Sequence, residues 1–174
     1  MSFELQPNLI GILLELRPLR AEDFDRLYAV ASDPLIWEQH PNSDRYKLEA
    51  FQTFFRDALA SEGALIAIDR KDGRVIGSSR FNGYDHEKSE VEIGWSFLAR
   101  SHWGGVFNKE MKQLMLQHAF RFVTSVIFVI GPHNHRSRKA VEKIGAVYVG
   151  SRLDAGGNER VVYRITASDF VPFG

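Results

Sequence analysis

Two glycines separate a strand pattern from a helix pattern in the run Trp103-Gly104-Gly105-Val106-Phe107-Asn108-Lys109-Glu110. Glycine has no Cβ to hold a ligand off the backbone, and the first N–H groups of a helix lack intrahelical partners. A strand that hands over to a helix there presents a row of donors suited to an anion, most readily a phosphate. The same pair also reads as a connection that needs glycine only for its dihedral angles. Upstream, Glu90 and Glu92 share one strand face, where two adjacent carboxylates can hold a cation. Trp37 and His40, in the irregular run Ile36-Trp37-Glu38-Gln39-His40-Pro41, either line a substrate pocket or pack down on the core. Six histidines raise the question of a metal. Yet His133 and His135, with no cysteine and no nearby carboxylate pair, match no common zinc spacing, so no metal site is expected.

Composition narrows the classes. The 174 residues suffice for one domain with a full core, expected to span 1–174. Lys plus Arg total 22, as do Asp plus Glu, so no overall field favours nucleic acid or an anionic membrane as partner. Cysteine is absent, which removes disulfides, thiolate metal sites and a cysteine nucleophile, and suits a reducing cytoplasm. Residues 1–8 carry no basic stretch ahead of an apolar run, and no segment approaches the ~20 apolar residues of a membrane helix. A cytoplasmic location follows as the expectation. Gly77-Ser78-Ser79-Arg80-Phe81 is not a nucleophile elbow, and there is no phosphate-binding Gly-x-x-x-x-Gly-Lys-Ser/Thr loop.

Periodicity supplies the elements that must position these residues. Residues 9–16 read as a first strand closed by Pro18, and helices follow at about 22–31 and 47–62. Strands at 64–69 and 75–81 flank Asp72-Gly73, and 91–97 returns antiparallel through residues 82–89. In that third strand Val91, Ile93, Trp95 and Phe97 alternate with Glu92, Gly94 and Ser96, as if one face were buried. The next helix carries Phe107, Met111, Leu114, Met115, His118 and Phe122 on one side and Lys109, Glu110, Lys112, Gln113 and Gln117 on the other. The apolar run at 126–130 predicts a strand covered on both faces, then Asn134 opens a helix and a hairpin closes the chain. The class is α+β, a mixed, mostly antiparallel sheet with helices on both faces.

Three segments in order carry a family resemblance: Glu92-Ile93-Gly94-Trp95-Ser96-Phe97-Leu98, the Trp103-Gly104-Gly105 turn with its helix through Lys112, and Asn134-His135-Arg136-Ser137 through Glu142-Lys143-Ile144-Gly145. Together they resemble the GCN5-related N-acetyltransferases (GNAT) and, within these, the ribosomal-protein-alanine acetyltransferase-like branch. With Leu16-Arg17-Pro18-Leu19 and Arg160-Val161-Val162-Tyr163 the likeness covers nearly the whole chain. It implies a twisted sheet with splayed central strands and acetyl-CoA as acyl donor, without a metal. Pantetheine would run along Trp95, Phe97 and Leu98. The pyrophosphate would meet the amides of Gly104, Gly105, Val106, Phe107, Asn108 and Lys109, beside Trp103. Asn134 would reach the pantetheine arm, and Ser137 would sit near the sulfur. Arg136, with Arg138 and Lys139, would face the adenosine phosphate or else solvent. One departure is Val106, where the family commonly has glycine or alanine; valine keeps its N–H but narrows the approach.

Acetyl transfer to an amine needs a neutral nucleophile and a protonated leaving thiolate. Glu92 is the expected base, unless it is a solvated strand glutamate. Val141 stands where many family members place a tyrosine, which leaves Ser137 or Tyr148 to protonate the sulfur. Transfer would be direct, because no cysteine can carry the acetyl group. The acceptor would be a primary amine, on a small molecule or a protein N-terminus, met by Trp37, His40, Tyr84 and Glu90. The alternative is a module of the same fold that binds CoA or another ligand and has lost transfer. Oligomeric state stays open, a homodimer included.

Overall fold

The computed structural model describes residues 2–172, so Met1 and residues 173–174 of the expected domain lie outside the described residues. Alternating apolar residues and turn signals resolve into eight strands: β1 (Leu9–Ile10), β2 (Leu14–Pro18), β3 (Ala64–Asp69), β4 (Val75–Asp85), β5 (Glu90–Leu98), β6 (Ser125–Ile130), β7 (Val147–Leu153) and β8 (Glu159–Thr166). They form one sheet in the order β1-β2-β3-β4-β5-β6-β8-β7. Every pairing is antiparallel except β5 with β6. Four α-helices cover the sheet: α1 (Phe24–Ala31), α2 (Leu48–Ser61), α3 (Val106–Ala119) and α4 (His135–Lys143). This is the expected α+β architecture.

The core lies in two layers, one on each face of the sheet. Leu65 and Ala67 of β3 join Met111, Met115 and Leu116 of α3, whereas Ala64, Ile66 and Ile68 join Phe51, Phe54 and Phe55 of α2. A strand buried on both sides is what a central position demands. Asp23, fully buried ahead of α1, takes two hydrogen bonds from Arg17 of β2 at 2.8 and 2.9 Å and a third from the Arg20 N–H. It anchors the first helix to the sheet.

Three expectations are corrected. The first strand does not run unbroken from 9 to 16. The chain reverses at residues 11–13 and β1 folds back on β2, pairing Leu9 with Leu16. The cause is remote in sequence: the Glu110 carboxylate on α3 accepts the N–H groups of Leu13 and Leu14 at 2.8 and 3.0 Å. A Cβ at residue 11 would overlap that carboxylate, so glycine there lets Glu110 keep both bonds.

The second correction concerns α3. Glu110, Lys112 and Gln113, which periodicity assigned to a polar face, are all buried. The helix is covered on one side by the sheet and on the other by the β1–β2 turn and the cleft wall.

The third is β5. Ser78 pairs with Phe97 but Arg80 pairs with Gly94, so Ser79 faces two residues, Trp95 and Ser96. This is a β-bulge, with Trp95 at φ 54°. An extra residue reverses the side-chain parity beyond it. Val91 and Ile93 therefore enter the α3 layer, and Phe97 enters the α2 layer, with Trp95 packed against it.

Candidate active site

The bulge coincides with the place where two strands part. β5 and β6 pair at Glu90 with Ser125, Val91 with Val126 and Glu92 with Ile127, and pairing stops there. β5 continues to Leu98 and β6 to Ile130, the latter held by β8 as far as Val161. The V-shaped gap opens into a cleft of about 1420 Å³, walled by both strands, the turn before α3, the start of α4, residues 36–45 and the tip of the β7–β8 hairpin.

At its outer end lies the glycine turn. Gly104 and Gly105 take φ of 113° and 104°, values that a side chain opposes, and nothing lies within 4 Å of a Cβ built at either. Gly105 caps α3 without a side-chain hydrogen bond, which leaves the N–H groups of Val106, Phe107 and Asn108 directed out of the helix start. Lys109 differs from expectation, since its N–H donates to the Gly105 carbonyl at 2.8 Å. The expected row of donors thus ends at Asn108. Val106 is exposed and borders the cleft, whereas the Phe107 ring turns away to pack edge-on against His102 at 4.7 Å.

Trp103 donates its indole N–H to the Leu98 carbonyl at 2.9 Å, and the Arg136 guanidinium stacks 3.9 Å from the indole centre. Arg136 also donates to the Ile36 carbonyl at 3.2 Å, and its N–H meets Gln39 Oε1 at 3.1 Å. Pro41 packs on Gly131, where any Cβ would overlap the proline ring. Residues 36–41 therefore bridge the gap from the β5 side to the end of β6. Asn134 is buried and caps α4, its Oδ1 accepting the Ser137 N–H at 3.4 Å. Ser137, half-buried, lines the cleft, and Val141 is buried beside it.

Deeper in, Glu92 leaves only 13 % of its side chain exposed, and burial raises its carboxyl to about 7 against the opposing pull of Arg152, 3.9 Å away, and Arg80. Lys112 reaches in from α3 and donates to the Ser96 hydroxyl, which shares a 2.7 Å hydrogen bond with Ser79. Burial lowers that ammonium to about 7. Trp37 is buried, its indole N–H bound to the Ala31 carbonyl at 2.8 Å and its ring centre 5.0 Å from that of Phe97. His40 lies beside Arg45, and burial with the charges of Arg45 and Arg160 pushes its imidazole down to about 3.

Of the residues expected at the site, Glu92, Trp95, Phe97, Leu98, Trp103, Gly104, Gly105, Val106, Asn108, Lys109, Asn134, Arg136, Ser137, Trp37 and His40 all border this one cleft. Four others do not: the Phe107 ring packs on His102, leaving only its backbone N–H at the helix start, and three more lie elsewhere. Tyr148 is exposed on β7, edge-on to Tyr163 at 5.9 Å. Tyr84 packs against Phe3, ring centres 5.4 Å apart, on the α3 side of the sheet. Glu90 sits at the paired end of β5 and β6, bound to Ser125 at 2.8 Å and Arg164 at 3.1 Å. The carboxylate pair expected at 90 and 92 is thereby split, one member in the sheet's seam and one in the cleft. Lys112, Arg45, Arg152 and Arg160 line the cleft without having been singled out. No spacing in the sequence marks them, and only the fold brings them together. Among the described residues no group of three His, Cys, Asp or Glu side chains is placed to hold a metal ion, and no helix is long and apolar enough to cross a membrane.

Splayed strands beside an uncapped helix start are the architecture that the sequence resemblance implied. A protein-family model described as an acetyltransferase (GNAT) domain matches residues 14–147. The chain belongs to the GNAT acetyltransferase family. Among curated relatives, this GNAT chain is 30% identical over 114 residues to the uncharacterized N-acetyltransferase p20 of Bacillus licheniformis, an alignment that covers 62% of each. The chain thus spans less than two thirds of that relative's length. Among solved structures, a GCN5-related N-acetyltransferase from Brucella melitensis superposes with a TM-score of 0.80 at 20% identity, over 94% of this chain and 80% of the other. Mycobacterium smegmatis RimJ in complex with CoA-disulfide superposes with a TM-score of 0.73 at 19% identity, over 96% and 91%. At these identities the likeness is one of GNAT fold.

Proposed function

We propose that this chain transfers the acetyl group of acetyl-CoA directly to a primary amine, the described residues acting as one acetyltransferase domain. The observation that carries the reading is the meeting, in one cleft, of the β5 edge that β6 leaves unpaired past Glu92 with the uncapped start of α3. Backbone left without a strand partner can pair with the amide groups of an extended ligand arm, and helix N-terminal N–H groups suit a diphosphate. The open space over Gly104 and Gly105 lets such a group approach the backbone. These features fit CoA and its acetyl thioester, which would supply the activated acyl group when bound.

The chain's own residues divide the remaining work. Glu92, raised to about 7, takes a proton from the incoming ammonium above that pH, directly or through a water. The freed amine then forms the new C–N bond as the C–S bond breaks, and the departing thiolate needs a proton. Ser137 and the Lys112 ammonium are cleft-lining donors for that step, the latter titrating near neutrality. Residues 36–41 roof the cleft and keep bulk water from the reacting groups.

The acceptor we propose is an amine on a small molecule or a peptide N-terminus, delivered from the side of the cleft that Glu92, Trp37 and His40 line. Thiol release from acetyl-CoA with a panel of amines and short peptides tests the activity, and a rise in Tm on adding CoA tests the site. Stabilisation by CoA without release on any amine would instead assign the chain a binding role.

A further inference from the structure

The inner end of the cleft is more basic than an ammonium acceptor by itself requires. Next to Trp95, though not among the residues that line the cleft, Arg80 on β4 is 5% exposed, and its Nε is buried without a hydrogen-bond partner. Its guanidinium lies 4.3 Å from the centre of the Trp95 ring, with Phe54 at 5.7 Å, so aromatic faces hold it in place. Arg45 is held in the same way, 4.7 Å from Phe54 and 5.7 Å from Trp37. Neither arginine makes an ion pair among the described residues, although Asp154 is taken by Arg160 at 2.8 Å and Glu92 has Arg152 at 3.9 Å. Asp57 and Asp44 act on the two guanidiniums only through space.

His40 sharpens the point. Its Nδ1 accepts the Asn42 N–H at 2.9 Å, so in the neutral ring the proton sits on Nε2. Nε2 lies 3.3 Å from Arg45 Nη1, which also carries hydrogen. Two donors face each other with no acceptor between them. An anionic oxygen placed there would satisfy both.

The sheet register sets the spacing to the base. Arg80 pairs with Gly94 and Asn82 with Glu92, so Arg80, Gly94 and Glu92 share one face of the sheet. The Glu92 carboxylate reaches over Gly94, its Oε2 lying 3.2 Å from where a Cβ would stand, a position that a side chain at residue 94 would crowd. A ligand in the cleft would meet that proton acceptor on β5 and the Arg45 and His40 donors on the loop.

We infer that the acceptor is a small amine that also carries a carboxylate, an amino acid in the simplest case, with its amine at Glu92 and its carboxylate held by His40 and Arg45. This inference rests on the acetyl-transfer reading and narrows its acceptor. The anion holds the molecule so that its nitrogen is presented to the base, and the aromatic rings of Trp37 and Trp95 flank its side chain.

The test compares amino acids with their own carboxamides as acceptors, and phosphoethanolamine with ethanolamine as the phosphate counterpart, by thiol release from acetyl-CoA. Removing one charge-assisted hydrogen bond to the carboxylate should lower kcat/KM about tenfold to a hundredfold, so the amino acids should exceed their amides by at least that factor. In Arg45→Gln the advantage should collapse, and Arg45→Lys should restore part of it. Equal or faster turnover of the amides overturns the inference, as does a preference for phosphoethanolamine over every amino acid. A second arm needs no turnover: with CoA present, N-acetyl amino acids should raise Tm in the native chain and not in Arg45→Gln. If no amine is acetylated, that arm still decides on the anion subsite while the transfer reading falls by itself. An unchanged shift in Arg45→Gln removes the subsite.

Discussion

Lys112 of α3 and Ser96 of β5 are joined across the cleft wall, the buried ammonium donating to the hydroxyl just past the bulge. Burial holds this lysine at about 7 when folded, against 10.5 ordinarily. Between those values the unfolded chain binds the proton and the folded chain does not, so stability from this group rises with pH from about 7 to 10.5 and is lost as pH falls through 7. Lys112→Met should flatten that dependence. It should also raise stability by about 1–2 kcal/mol below neutrality, where the native chain must bury a charge without a counter-ion. Urea unfolding on either side of neutrality measures both effects.

Glu92 titrates in the opposite sense. Its folded value of about 7 lies above the ordinary 4.5, so the folded state holds the proton more tightly and stability from this group declines as pH rises from 4.5 to about 7. Activity should run the other way, falling as pH drops below about 7 because the protonated carboxyl cannot act as base. Glu92→Gln should lower kcat by about a hundredfold or more and abolish that acidic limb. Acetyl-CoA affinity should be unchanged, since the carboxylate lies on the acceptor side. A pH–rate profile of both proteins checks the pair of statements.

Gly105→Ala places a Cβ at φ 104°, in the region that only glycine enters freely. Backbone strain should cost about 1–2 kcal/mol. The methyl would also stand in the open space over the first amides of α3, and CoA should bind about tenfold more weakly, one charge-assisted hydrogen bond's worth. Calorimetric titration with CoA, alongside a thermal melt, separates the two losses.

Glu110→Ala would leave the N–H groups of Leu13 and Leu14 without their acceptor. Two orphaned donors, one of them buried, should cost about 2–4 kcal/mol. Gly11→Ala should destabilise by a similar mechanism, pushing the carboxylate away from both amides. Denaturant midpoints give the comparison, and a Glu110→Ala protein as stable as the native chain would show that water replaces the carboxylate.

How far the site was legible depended on whether its groups are local. The glycine turn, the α3 start and the Asn134 cap are made from consecutive residues, so composition and period sufficed to find them. Glu92 was found by strand parity, which holds up to the bulge and fails past Trp95. Tyr148, Tyr84 and Glu90 were placed by neighbourhood in sequence, yet their side chains face another layer or the sheet's own seam. Lys112 and Glu110 looked solvated because a helix's polar stripe normally is; here the β1–β2 turn and the cleft wall lie over it.

The amino-acid sequence by itself determined the α+β class, most element boundaries and the glycine-led start of α3, because each follows from residues within a few positions of one another. The tertiary structure alone decided where the pairing of β5 with β6 stops, the bulge that divides one strand between two cores, and the gathering of His40, Arg45 and Glu92 around one cleft. Those groups come from a loop and a strand, and their burial, not their identity, sets their charge. Desolvation is a property of what packs around a residue, and that is fixed only when the chain has folded.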